Sequence, residues 1–198
     1  MRLDLVRHGD TGRSGYLDGR SDYPTTPSGM TQIDKQLERG GWQIVITSPL
    51  QRARRSAEAF AATTACSLTI DADWIELDFG RWEGRRRADI AADPLAREQL
   101  ATFYDDPWRQ SPPDGERWPD FEQRVRRGLA RACDHATGRS TLVISHAGPM
   151  RMVLSIVLGI PLRSLWAIRL DYATRVGLEV GQSSDGEFWG ELVELVPP

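Results

Sequence analysis

The chain has 198 residues, 40% of them hydrophobic and 27% charged, which supports the core of one folded domain over residues 1–198. A net charge of −3 excludes a nucleic-acid binder held by bulk positive charge. Cys66 and Cys133 lie too far apart for a CxxC zinc site or a disulfide framework, and they read as small buried apolar residues. Charged Asp4, Arg7 and Asp10 break any apolar leader, and the longest apolar run, residues 152–160, is too short for a bilayer span. A cytoplasmic protein without a membrane partner is expected.

In chain order, Leu3, Leu5 and Val6 make a short strand pattern that runs into Arg7, His8 and Gly9. Residues 12–26 are rich in Gly, Ser, Asp, Thr and Pro and read as a long loop, which in a compact domain points to function. Pro27 and Ser28 open a helix with Met30, Ile33 and Leu37 inward, stopped at Gly40 and Gly41. Residues 42–47 read as a second strand, covered on both faces, that ends at Ser48 and Pro49. Residues 50–63 form a helix with Ala53, Ala57, Phe60 and Ala61 inward and Arg52 in its first turn.

A third strand is expected at residues 68–70, then an aromatic segment at 74–84 too broken by glycine for a helix. Residues 85–104 read as helical with a break at Pro94, and 105–119 as a proline-rich surface loop. The clearest helix is 120–136. Phe121, Val125, Leu129 and Cys133 form its apolar stripe, and Arg124, Arg126, Arg127 and Arg131 read as a solvated face with Asp120–Arg124 and Glu122–Arg126 pairs. Residues 141–145 form a buried strand that ends at Ser145 and His146. Pro149 opens an apolar helix to Leu158, and residues 167–171, 175–180 and 188–196 alternate as strands.

Three strands thus end on basic residues, and in a parallel sheet with helical crossovers their carboxyl ends share one edge. Arg7 and Arg52 suit forked hydrogen bonds to a phosphate, and amides of the helix near Gly148 add anion affinity. Of the three histidines, His8 and His146 reach this edge, and His135 reads as a partner of its own helix end. No metal-ligand cluster is visible, so a histidine nucleophile is the simpler proposal than metal-activated water, and neither metal nor cofactor is expected. A leaving alkoxide needs a proton. Glu76, Asp78 and Glu83, set among aromatic residues, all qualify as the acid.

Arg7-His8-Gly9, Ser48-Pro49-Leu50 with Arg52-Ala53, residues 76–84, and Ser145-His146 ahead of Gly148 occur in an order that resembles the histidine phosphatase superfamily, in its phosphoglycerate mutase-like branch. The resemblance implies a three-layer α/β/α sandwich with a mainly parallel sheet. It implies transient phosphorylation of His8, a phosphoryl group held by Arg7, Arg52 and His146, and Glu76 as proton donor and later base. Ser14 and Gly19 fall where the family's loop approaches the phosphate. Asp10, Ser14 and Ala147 stand where the family more often has Glu or Gln, Asn in the mutases, and Gly.

The chain is short and shows no mutase-type insert, which favours a metal-independent phosphomonoesterase acting on a small phosphorylated metabolite. Residues 79–83, 113–116 and 165–171 further resemble the α-ribazole phosphatases of cobalamin biosynthesis. That likeness implies a 5′-phosphate substrate on whose base Trp82 or Trp118 could stack, although core or lid packing is the favoured role of each. The alternatives are a broad-specificity sugar-phosphate phosphatase or mutase-like enzyme and, outside enzymes, a phosphate-binding regulatory module. The oligomeric state, a homodimer included, stays open.

Overall fold

Leu3, Leu5 and Val6 flank Asp4 on β1 (Arg2–Arg7), and successive side chains of a strand point to opposite faces. The computed structural model, which describes residues 1–38, 40–135 and 139–198, buries both faces. Leu3 and Leu5 join one apolar core with Ile44, Ile46 and Val143, and Val6 joins a second with Val45, Leu142 and Ile144. Among the described residues the sheet has six strands: β1, β2 (Ile44–Thr47), β3 (Ser67–Ile70), β4 (Thr141–Ser145), β5 (Arg175–Gln182) and β6 (Phe188–Val196). Their order is β3-β2-β4-β1-β5-β6. The pairs β3–β2, β2–β4 and β4–β1 are parallel, and β1–β5 and β5–β6 antiparallel. The expected α/β sandwich with a mainly parallel sheet is what the chain adopts.

Helices α1 (Pro27–Leu37) and α2 (Gln51–Thr63) cover the face of the second core, to which Ile33, Leu37, Ala53 and Ala57 belong. Thr26 caps α1 by accepting from the Gly29 amide, with Pro27 in the first turn, where its missing N–H costs nothing. Short α3 (Arg87–Ala92) and α4 (Pro94–Asp105) divide at Asp93, which caps α4, so the break expected at Pro94 is real. On the other face, α5 (Trp118–His135) buries Phe121, Val125 and Leu129 completely, each worth about 2 kcal/mol relative to exposure. Helix α6 (Ala147–Leu158) packs beside it and ends at Gly159, whose φ of 65° closes the helix in the left-handed region.

Two expectations fail. Residues 167–171 are no strand: Leu162–Ala167 is a 3₁₀ turn and the chain then runs irregularly to β5. Alternation alone there mimics a strand, but among the described residues none pairs with it in a ladder. The arginines of α5 are not one solvated face either. Arg126 pairs with Glu122 as expected, but Arg124 is buried and pairs with Glu116, leaving Asp120 to Arg117. The side chain of His135, its expected role at the helix end, and Ala136 lie outside the described residues. Cys66 and Cys133 are free and half-buried, and burial pushes the Cys133 thiol up to about 11, which leaves it unreactive. Among the described residues, no helix is long and apolar enough to cross a membrane.

Candidate active site

Because β2, β4 and β1 are neighbours in that order, their carboxyl ends stand side by side, with Arg7 opposite Ser145 and Thr47 opposite Ile144. The next residues, His8, Ser48 and His146, therefore meet at the sheet edge. The turn after β1 is possible because Gly9 touches α1: a Cβ on Gly9 would stand 2.1 Å from the Gly29 carbonyl oxygen.

The His8 imidazole is buried, with Nδ1 2.8 Å from the carbonyl oxygen of Gly9. A carbonyl only accepts, so Nδ1 carries the proton and Nε2 keeps its lone pair. No hydrogen bond engages Nε2 among the described residues. Burial, then the guanidinium groups of Arg52 and Arg7, hold the imidazole well below its usual range. It is a neutral base on the wall of a cavity of about 660 Å³. Tyr172 stands 5.4 Å from the His8 ring, and the Arg7 guanidinium lies 4.0 Å above that tyrosine.

Arg7 lines the same cavity. Its Nη1 donates to the Leu170 carbonyl at 2.7 Å, and its buried Nε has no partner. Arg52, 2% exposed, donates to the carbonyls of Asp18, Gly19 and Ser21 and, through Nε, to Nδ1 of His146 at 3.2 Å. Arginine cannot accept, so His146 Nδ1 is the acceptor and its Nε2–H donates to Ser48 Oγ at 2.8 Å. Burial first, and then Arg52, keep His146 well below its usual range, in agreement with that neutral tautomer. His146 thus sits behind Arg52, fully buried and off the cavity wall, with both ring nitrogens engaged.

Of the three carboxylates left open, only Glu76 lines the cavity. Its Oε1 accepts from the Leu77 amide at 2.8 Å and its Oε2 from the Gly148 amide at 3.1 Å, in the first turn of α6. Asp78 lies outward near Arg20, and Glu83 binds the amides of Gly19 and Ser21. Gly19 therefore presents no amide to the cavity. Ser14 does line it, on the loop that Arg13 stiffens through two hydrogen bonds to Asp18 and contacts with Tyr16 and Tyr23. Among the described residues no group of three His, Cys, Asp or Glu side chains is placed to hold a metal ion.

Sequence reasoning missed Tyr172, which directly follows the false strand, and the cavity-lining cations Arg13, Arg87 and Arg151. Arg151 carries a signal that could have found it: it lies one helical turn beyond Ala147 and follows the cavity edge. Trp82 packs edge-on against Phe103 in the core and off the cavity. Trp118, 2% exposed, touches the cavity wall with its Nε1 donating to the Gln110 carbonyl.

The family model of the histidine phosphatase superfamily (branch 1) matches residues 3–186. The chain spans about half the length of the mycobacterial relatives it matches, among them a bifunctional protein of Mycobacterium tuberculosis at 35% identity over 87% of this chain and 48% of that one. An adenosylcobalamin/alpha-ribazole phosphatase of Salmonella typhimurium is 30% identical over 86% of each chain. A probable phosphoglycerate mutase of Citrobacter koseri is also 30% identical, over 91% of this chain and 89% of that one. The crystal structure of a putative alpha-ribazole-5′-P phosphatase of Escherichia coli superposes with a TM-score of 0.81 at 26% identity, covering 98% of this chain and 95% of that one.

Proposed function

This chain belongs to the histidine phosphatase superfamily, branch 1; from that premise we propose that it is a phosphatase and hydrolyses a phosphomonoester through a phosphohistidine on His8. The observation that carries the reading is a His8 imidazole with a free Nε2 on the wall of one cavity that the Arg7 and Arg52 side chains also line. A neutral imidazole brings a lone pair, and a guanidinium with a spare donor neutralises equatorial phosphoryl oxygens.

His8 Nε2 attacks phosphorus as the bond to the leaving oxygen breaks, and protonated Glu76 hands its proton to that oxygen. Glu76, now a carboxylate, takes a proton from water whose oxygen attacks the phosphohistidine. The N–P bond breaks, its electrons return to Nε2, and inorganic phosphate leaves. Arg7 and Arg52 hold the phosphoryl group, and His146 acts through Arg52. The unit that does this is the single domain of residues 1–198.

For the substrate we favour α-ribazole 5′-phosphate. Phe79, Phe103, Tyr104, Trp118 and Trp166 line the same cavity, whose volume of about 660 Å³ suits a nucleotide-sized ligand with a flat base. A relative bearing that activity in its name supports this choice. The second reading, a sugar-phosphate phosphatase or phosphoglycerate mutase-like enzyme, is favoured by Arg87. It lines the cavity without an ion pair among the described residues and would suit a substrate carboxylate.

The test is phosphate release with chelator present, from α-ribazole 5′-phosphate, simple nucleotides, sugar phosphates and 3-phosphoglycerate. We expect a marked preference for the first, abolished in His8→Ala, and an acid-labile protein phosphate absent from that variant. Equal turnover across the panel would remove the α-ribazole assignment and leave the chemistry. A protein phosphate that survives acid would remove the phosphohistidine.

A further inference from the structure

The chain around Glu76 has almost no regular structure of its own. After the 3₁₀ turn Ala72–Trp74 it runs irregularly to Phe79, so no helix or ladder of its own fixes the course of its main chain. One side chain of α5 does so instead. Arg124, 7% exposed, donates from Nη1 to the carbonyls of Asp73 at 2.9 Å and Ile75 at 2.6 Å, and from Nη2 to the carbonyl of Glu76 at 3.0 Å. Its remaining two N–H groups form a fork to Glu116, at 2.6 Å from Nε and 2.8 Å from Nη2. All five donors of the guanidinium are engaged.

Glu116 in turn binds the next residues of the segment. Its backbone amide donates to the Asp78 carbonyl at 3.0 Å, and its Oε2 accepts from the Asp78 amide at 3.3 Å. The pair thus clasps both ends of residues 73–78, and the buried charge of Arg124 is compensated by Glu116 rather than left alone. From the other side Ser145 Oγ donates to the Trp74 carbonyl at 2.6 Å, tying the same segment to the end of β4. A proton donor has to stand within hydrogen-bond reach of its oxygen, so a shift of the segment by an ångström removes most of its effect.

We propose that Arg124, compensated by Glu116, is the positioning residue for the Glu76 carboxyl group, setting it against the leaving-group oxygen. Arg124 lies behind Glu76 and touches it only through the main chain. This inference rests on the reading of Glu76 as the proton donor. It predicts a loss confined to leaving groups that need a proton. A nitrophenolate leaves unprotonated, whereas an alkoxide does not.

The experiment is single-turnover cleavage, with enzyme in excess, of p-nitrophenyl phosphate and of the best alkyl phosphate of the panel above. It compares the parent chain with Glu76→Gln, Arg124→Gln and Glu116→Gln. In Arg124→Gln the first-step rate for the alkyl phosphate should fall about 10²-fold, the lower end of what a placed proton-transfer group contributes, with nitrophenol release unchanged. Glu116→Gln should show the same split, smaller in size, and serves as the test should Arg124→Gln fail to fold. Equal slowing of both substrates in the Arg124 and Glu116 variants, or of neither, overturns the positioning role while Glu76→Gln still shows the split. If Glu76→Gln itself slows both alike, the acid reading falls and this inference falls with it.

Discussion

A single methyl group at position 148 would meet the Glu76 carboxylate. A Cβ on Gly148 would stand 2.0 Å from Glu76 Oε1, although the residue lies in a helix where alanine is otherwise favoured. Glycine is there so that the amide of the first turn of α6 can approach Glu76 Oε2 to 3.1 Å. Gly148→Ala should therefore lower kcat on alkyl phosphates about 10²-fold through displaced proton transfer, with the unfolding midpoint hardly moved. Measuring kcat and thermal unfolding on one preparation checks this, and an unchanged kcat would show that the carboxylate need not stand where it does. The tautomers of His8 and His146 are equally local matters, since a carbonyl forces one proton and a guanidinium forces the other.

Between elements, the sheet carries a polar knot where β1 meets β5 and β6. Asp4, buried in mid-strand, accepts from Trp42 Nε1 at 2.8 Å and from Arg175 Nη1 at 2.9 Å. Arg175 also reaches Glu194 of β6 at 2.9 Å, and Arg2 bridges Asp4 and Glu194. A buried pair is weak evidence of net stability, but breaking one leaves an uncompensated charge. Asp4→Ala strips the Trp42 N–H of its acceptor and Arg175 of its buried one, so it should cost about 3 kcal/mol. Chemical denaturation reads this directly. A loss comparable to an ordinary surface substitution would mean that Glu194 alone compensates Arg175. The knot holds β1 in register beneath the loop that carries His8, which links sheet stability to the site.

Across the whole molecule, the two buried neutral imidazoles make stability depend on pH. Both His8 and His146 are held well below the ordinary histidine pKa. As pH falls through about 6.5, they take up protons in the unfolded chain but not in the folded one. The unfolded state then binds more protons, so unfolding free energy should fall with falling pH, by up to about 1.4 kcal/mol per pH unit for each histidine. Above about pH 7 neither state is protonated and this contribution is flat. Denaturation between about pH 7 and pH 5 checks the slope, which His8→Asn should reduce by one histidine's share. The same slope in that variant would contradict the neutral, buried His8.

Sequence by itself determined the elements whose cause is local. The Leu-Val-Ile runs of the parallel strands, the apolar stripe of Phe121, Val125 and Leu129, and the proline that divides α3 from α4 each act within a few residues of chain. The convergence of Arg7, His8, Arg52 and His146 is legible too, because right-handed crossovers leave parallel strands little freedom in where their ends lie. Residue types alone left Glu76, Asp78 and Glu83 open and the family resemblance pointed to Glu76; what only the tertiary structure adds is that Glu76 is the one of the three that faces the cavity. Tertiary structure also turned Arg124 from a solvated arginine into a buried clasp, and the alternating residues 167–171 into an irregular wall behind Arg7. Periodicity reports which way a side chain leaves its own helix or strand. What it then meets depends on residues distant in the chain, and hydrogen bonds such as Arg124 to the Glu76 carbonyl exist only once the layers have packed.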